Sequence, residues 1–73
     1  MSLRTKVLEY LEQKPSDLLT ISKDLNIEIN ELADELNNLL NAGYVTKTND
    51  LFRLTDRSKD YLKVERSEPY SDK

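Results

Sequence analysis

Between residues 28 and 41 the chain carries four carboxylates, Glu28, Glu31, Asp34 and Glu35, and no basic side chain. Asn30, Asn37, Asn38 and Asn41 are interleaved with them. So many carboxylates in one segment attract a basic partner and repel a polyanion. The asparagines point to another chemistry, because an Asn amide can pair bidentately with adenine. Cations that could grip phosphates are few. Lys23, Lys47 and Arg53 are the candidates, and Arg57, Lys59 and Lys63 each have an acid nearby.

The missing residue types narrow the function classes. The sequence has no histidine and no cysteine, so Ser-His and Cys-His nucleophilic catalysis are excluded. A zinc site would need carboxylates alone, which is rare. Asp34 and Glu35 are neighbours in sequence and splay apart on a helix, so they make no catalytic pair. Gly43 is the only glycine, so there is no glycine-rich phosphate loop. The expectation is a binding protein, not an enzyme, with neither metal nor cofactor.

The whole chain of 73 residues has a net charge of −3. Residues 1–27 balance at four basic and four acidic groups, and residues 42–73 carry seven basic and six acidic groups. Segment 28–41 alone therefore makes the chain acidic. Hydrophobic residues are 37% and charged residues 34%, which suits a folded domain with a polar surface. No apolar run is long enough to span a membrane, and Met1–Tyr10 lacks the apolar stretch of a secretory signal. A cytoplasmic location and no membrane contact are expected.

The elements that must position these residues follow from periodicity and punctuation. Ser2 reads as an N-cap, and Leu3, Val7, Leu8 and Leu11 share one face of a helix over 3–14. Lys14-Pro15-Ser16 stops it. Asp17-Leu18-Leu19 reads as a short extended stretch, with Thr20 as the N-cap of a second helix that carries Ile21 and Leu25. Asn26 tolerates the left-handed conformation and ends that helix, with Ile27 as the buried plug of the turn. Leu32, Leu36, Leu39 and Leu40 form the apolar stripe of a third helix over 28–42, closed by Gly43.

The period then changes to two. Tyr44–Thr48 and Leu51–Leu54 read as strands joined by the turn pair Asn49-Asp50. Thr55-Asp56 starts a last helix over 56–64, from which Tyr61 and Leu62 can pack. Residues 1–64 form one domain, and the polar segment 65–73 is expected to be a disordered tail. Tyr10, Tyr44, Phe52 and Tyr61 fall at or beside apolar positions and read as core or core-edge residues. The fold class is α+β, mainly α: a three-helix core, a β-hairpin and a short C-terminal helix.

The stretch Ile21-x3-Leu25-Asn26-Ile27-x4-Leu32-x3-Leu36-x2-Leu39-x2-Ala42-Gly43-Tyr44-Val45 resembles the helix-turn-helix and third-helix exit of bacterial and archaeal winged-helix regulators. Leu51-Phe52-Arg53-Leu54-Thr55-Asp56-Arg57-Ser58-Lys59-Asp60-Tyr61-Leu62 resembles the second wing strand and last-helix start of the MarR- and PadR-like groups. The resemblance covers residues 3–63. Asn26 and Ser58 stand where those groups often have glycine.

The resemblance implies a winged helix-turn-helix fold and a small transcriptional regulator that binds double-stranded DNA. Its sites would be Lys23, Asn30, Asn37, Asn38, Lys47 and Arg53. It also allows a homodimer through the terminal helices. The acids count against DNA, since a carboxylate about 5 Å from a phosphate costs on the order of 1 kcal/mol even at water-like dielectric. The alternative is an acidic protein-interaction module, similar in pattern to the acidic winged-helix domain of the eukaryotic single-strand-binding complex. It would present Glu28, Glu31, Asp34 and Glu35 to a basic partner. A small inhibitor of a nucleic-acid-binding factor, encoded by a phage or mobile element, fits the same surface.

Overall fold

Ser2 opens the first helix, α1 (Leu3–Gln13), with its Oγ accepting from the Thr5 amide at 3.1 Å. That bond satisfies one of the amides a helix start leaves orphaned. Lys14, before Pro15, is fully extended, and the helix ends there. The computed structural model describes residues 2–65.

Helix α2 (Leu18–Leu25) begins earlier than the sequence suggests. Asp17, not Thr20, is its cap: the Asp17 carboxylate accepts from the Thr20 amide at 2.8 Å. Leu18 and Leu19 are thus helical, and the extended residue that pairs is Ser16, before the expected stretch of 17–19. The Ser16 amide donates to the Phe52 carbonyl at 3.3 Å, and its carbonyl accepts from the Phe52 amide at 2.9 Å. This two-way pairing holds Ser16 extended, so the helix can start only after it.

Asn26 adopts φ 56° and ψ 49° just past α2. Its amide donates to Lys23 O, and the Ile27 amide donates to Ser22 O at 3.0 Å. These two bonds make a Schellman closure. The same closure ends α3 (Ile29–Asn41), where Gly43 has φ 83°. There the Gly43 amide donates to Leu40 O and the Tyr44 amide to Leu39 O. Two left-handed residues therefore set how the chain enters and leaves α3.

Strands β1 (Val45–Thr48) and β2 (Leu51–Leu54) pair antiparallel, with Val45 opposite Leu54 and Lys47 opposite Phe52. Asn49 and Asp50 both have positive φ, as a two-residue hairpin turn matched to strand twist requires. Thr55 and Ser58 cap α4 (Asp56–Glu65) reciprocally. The Thr55 amide donates to Ser58 Oγ at 3.0 Å, and the Ser58 amide to Thr55 Oγ1 at 3.4 Å. Glu65, expected at the head of the tail, closes this helix; 66–73 lie outside the described residues.

The fold class is α+β, mainly α. Helix α1 packs against the other three helices and against β2. Val7, Leu8 and Leu11 from α1 meet Ile21, Leu32, Leu36, Leu39, Val45, Phe52 and Leu62 in one buried cluster. Burying each such side chain contributes about 1.5–3 kcal/mol, which in a chain this short leaves little margin for loss. Among the described residues no helix is long and apolar enough to cross a membrane.

Candidate functional site

Burial of Leu32, Leu36 and Leu39 fixes the orientation of α3. At about 100° per residue, the opposite side must carry Asn30, Glu31, Asp34, Asn37, Asn38 and Asn41. All six are exposed. Asn30, Asp34, Asn37 and Asn41, spaced four, three and four apart, make one stripe along the helix. Glu28 sits at the helix start, where its Oε1 accepts from the Glu31 amide at 3.0 Å. Its carboxylate therefore caps the helix and complements the positive end of the dipole.

Glu35 departs from the expected acidic surface. Its side chain is only 17% exposed, and its Oε2 meets Arg4 Nε of α1 at 2.9 Å. The carboxylate turns towards α1 because position 35 lies at the edge of the buried stripe, next to Leu32, Leu36 and Leu39. Hydrogen bonding to Glu35 raises the Arg4 pKa, against a smaller opposing effect of burial. The Arg4 guanidinium also lies over the Tyr44 ring at 5.7 Å, and Arg57 lies over the same ring at 5.3 Å. Tyr61 packs tilted against Tyr44, with centroids 5.4 Å apart. This cluster joins α1, α3, the start of the hairpin and α4.

The hairpin separates its two cations. Lys47 is opposite Phe52, on the inward side with Val45, and its Nζ lies 5.6 Å from the Phe52 ring centroid. Arg53 is opposite Thr46, on the other side. A two-residue turn at 49–50 imposes that register, so alternation along each strand already contains this result. Lys47 Nζ is also 3.9 Å from Asp50 Oδ1. Lys23 lies exposed in the last turn of α2, where a cation favours the helix dipole, close to the turn that leads to Asn30.

A shallow groove runs between the start of α2 and the hairpin. Asp17, Leu18, Leu19, Lys47, Asp50 and Phe52 line it, and Leu19 is 64% exposed. On the far side of α2, the Tyr10 hydroxyl donates to Asp24 Oδ2.

Asn30, Asn37 and Asn38 therefore share one open surface with Glu31 and Asp34. Lys47 and Arg53 do not share a surface, and Glu35 is withdrawn from the acidic one. Arg4 is the residue missed by sequence reasoning. Its only signal there was a cation on the first turn of α1, beside Lys6, which says nothing of a partner in α3. Among the described residues no group of three His, Cys, Asp or Glu side chains could hold a metal ion. No protein-family model matches the chain, and no curated protein matches it.

Proposed function

We propose that the chain is a winged helix-turn-helix domain that binds duplex DNA as a small transcriptional regulator. Helices α2 and α3 would be the helix-turn-helix, and the β1–β2 hairpin the wing. The order of elements and the tight left-handed turn at Asn26 support this reading. The observation that carries it is the open face of α3, which displays Asn30, Asn37, Asn38 and Asn41 opposite the buried leucines. Lys23 and Arg53 would meet phosphates, while Lys47, on the other side of the hairpin beside Asp50, would do so only where a backbone passes that side too.

So few cations make a weak and weakly salt-dependent binder. Each neutralised phosphate contributes about −0.9 to the slope of log K against log salt, so three cations give a slope no steeper than about −3 per protomer. A homodimer would double the number. The test is an amide NMR titration with a mixed-sequence duplex at low ionic strength. Shifts at Asn30, Asn37, Asn38, Lys23 and Arg53 that vanish as salt rises are expected. Absence of any shift at the lowest salt would end the DNA reading.

A second reading is favoured by Glu31 and Asp34, which form no ion pair among the described residues and share the open face of α3. On that reading the face docks a basic protein. Charge reversal at Glu31 and Asp34 to lysine should then abolish capture of a basic partner. The same reversal should strengthen duplex binding if DNA is the ligand, so one pair of substitutions separates the two readings.

A further inference from the structure

We propose that α3 reads duplex DNA through asparagine amides and carboxylate acceptors, with no cationic donor, and so selects sites whose contacted base edges are adenine and cytosine rather than guanine. The inference rests on the DNA-binding reading above and adds the class of sequence it recognises.

The open face of α3 has an unusual inventory. Asn30, Asn37, Asn38 and Asn41 each offer one amide oxygen and one NH2 group, while Glu31 and Asp34 offer only acceptors. No arginine or lysine occurs anywhere between residues 29 and 41. Among the described residues the guanidinium bonded to α3 is that of Arg4, which meets Glu35 and lies over Tyr44, so it is not available to a base. Asp34 sits in the middle of the stripe, one helical turn from Asn30, Asn37 and Asn38, and a base approaching any of these amides also approaches its carboxylate.

The major-groove edges of the bases sort on that inventory. Guanine presents two acceptors, N7 and O6, and is usually met by two donors from arginine or lysine. Thymine presents the acceptor O4. Adenine presents an acceptor and a donor, which match an asparagine amide in both places. Cytosine presents the N4 donor, which a carboxylate accepts. A carboxylate facing guanine O6 or N7 leaves two acceptors opposed with nothing between them. The same acids that weaken overall affinity for the backbone therefore sharpen the choice of base. The stripe from Asn30 to Asn41 is about 16 Å long at 1.5 Å per residue, enough to meet several consecutive pairs.

The experiment is selection from a random-sequence duplex library at low salt, followed by titration of the enriched duplex. Enriched sites should be dominated by adenine and cytosine on the contacted strand. Replacing a contacted adenine by 7-deazaadenine, which lacks the N7 acceptor, should weaken binding about tenfold, as should Asn37→Ala. Asp34→Arg should shift enrichment towards guanine. Asn37 and Asp34 are exposed, and circular dichroism of both variants checks that they fold. A guanine-centred site selected by the unaltered protein would overturn this inference and leave the DNA reading standing. Binding with no enrichment at all would do the same. No binding to any duplex would remove both.

Discussion

Arg4 of α1 and Glu35 of α3 meet at 2.9 Å across 31 residues of sequence, and the pair links the first helix to the helix that carries the candidate site. Both side chains are partly exposed, so the pair is worth about 1 kcal/mol or less, not the several of a buried charge. A double-mutant cycle with Arg4→Ala and Glu35→Ala, read by urea denaturation, should give a coupling energy near the upper end of that range. Zero coupling would mean that the Arg4 contact with Tyr44, not the ion pair, holds α1 to this end of α3.

Asp17 should make part of the stability depend on pH. The Thr20 hydroxyl and then the Thr20 amide lower its pKa below the ordinary 3.8. A lowered folded pKa stabilises the folded chain above the unfolded value and loses that contribution as pH falls through the folded one. Asp17→Asn keeps a capping oxygen and removes the titration. Urea midpoints at pH 7 and pH 3 should therefore fall further for the unaltered chain than for the Asn variant. Parallel profiles would show that Asp17 titrates alike in both states.

Gly43 and Asn26 both sit in left-handed backbone, and they should respond oppositely to substitution. A Cβ at Gly43 meets nothing closer than the Arg57 Cδ at 3.8 Å, so Gly43→Ala is opposed by the backbone alone. The expected loss is about 1–2 kcal/mol, the cost of placing an L-residue there. Asn26→Gly should be neutral or slightly stabilising, because φ 56° suits glycine better. Thermal melts of the two variants check both signs.

Ser58 is fully buried, and its Oγ both accepts from the Thr55 amide and donates to the Thr55 carbonyl at 2.7 Å. Removing the hydroxyl leaves buried polar groups at the α4 cap with fewer partners. Ser58→Ala and Ser58→Gly should each destabilise the chain by about 1–2 kcal/mol. A Ser58→Gly variant as stable as the parent would show that the hydroxyl adds nothing to the α4 cap.

Much of the fold was legible in the residues because its signals are local. Ser2 as a cap, Pro15 as a stop, Asn26 and Gly43 as left-handed closures and Asn49-Asp50 as a hairpin turn each act within a few residues. The leucine spacing of α3 likewise determined that Asn30, Asp34, Asn37 and Asn41 share a stripe, and the two-residue turn determined that Lys47 and Arg53 fall on opposite sides of the hairpin. Other features depended on contacts between distant segments. Asp17 and Thr20 are both capping residues, and the choice of Asp17 follows from the pairing of Ser16 with Phe52, 36 positions along the chain. Nor does any local pattern show that Glu35 leaves the acidic face, since a carboxylate at the edge of a buried stripe turns only towards a cation that packing brings there. The sequence by itself determined the elements and the chemistry displayed on α3. Tertiary packing decided where α2 begins and which of the four acids stay open to a ligand, because both depend on side chains that meet only after the chain has folded.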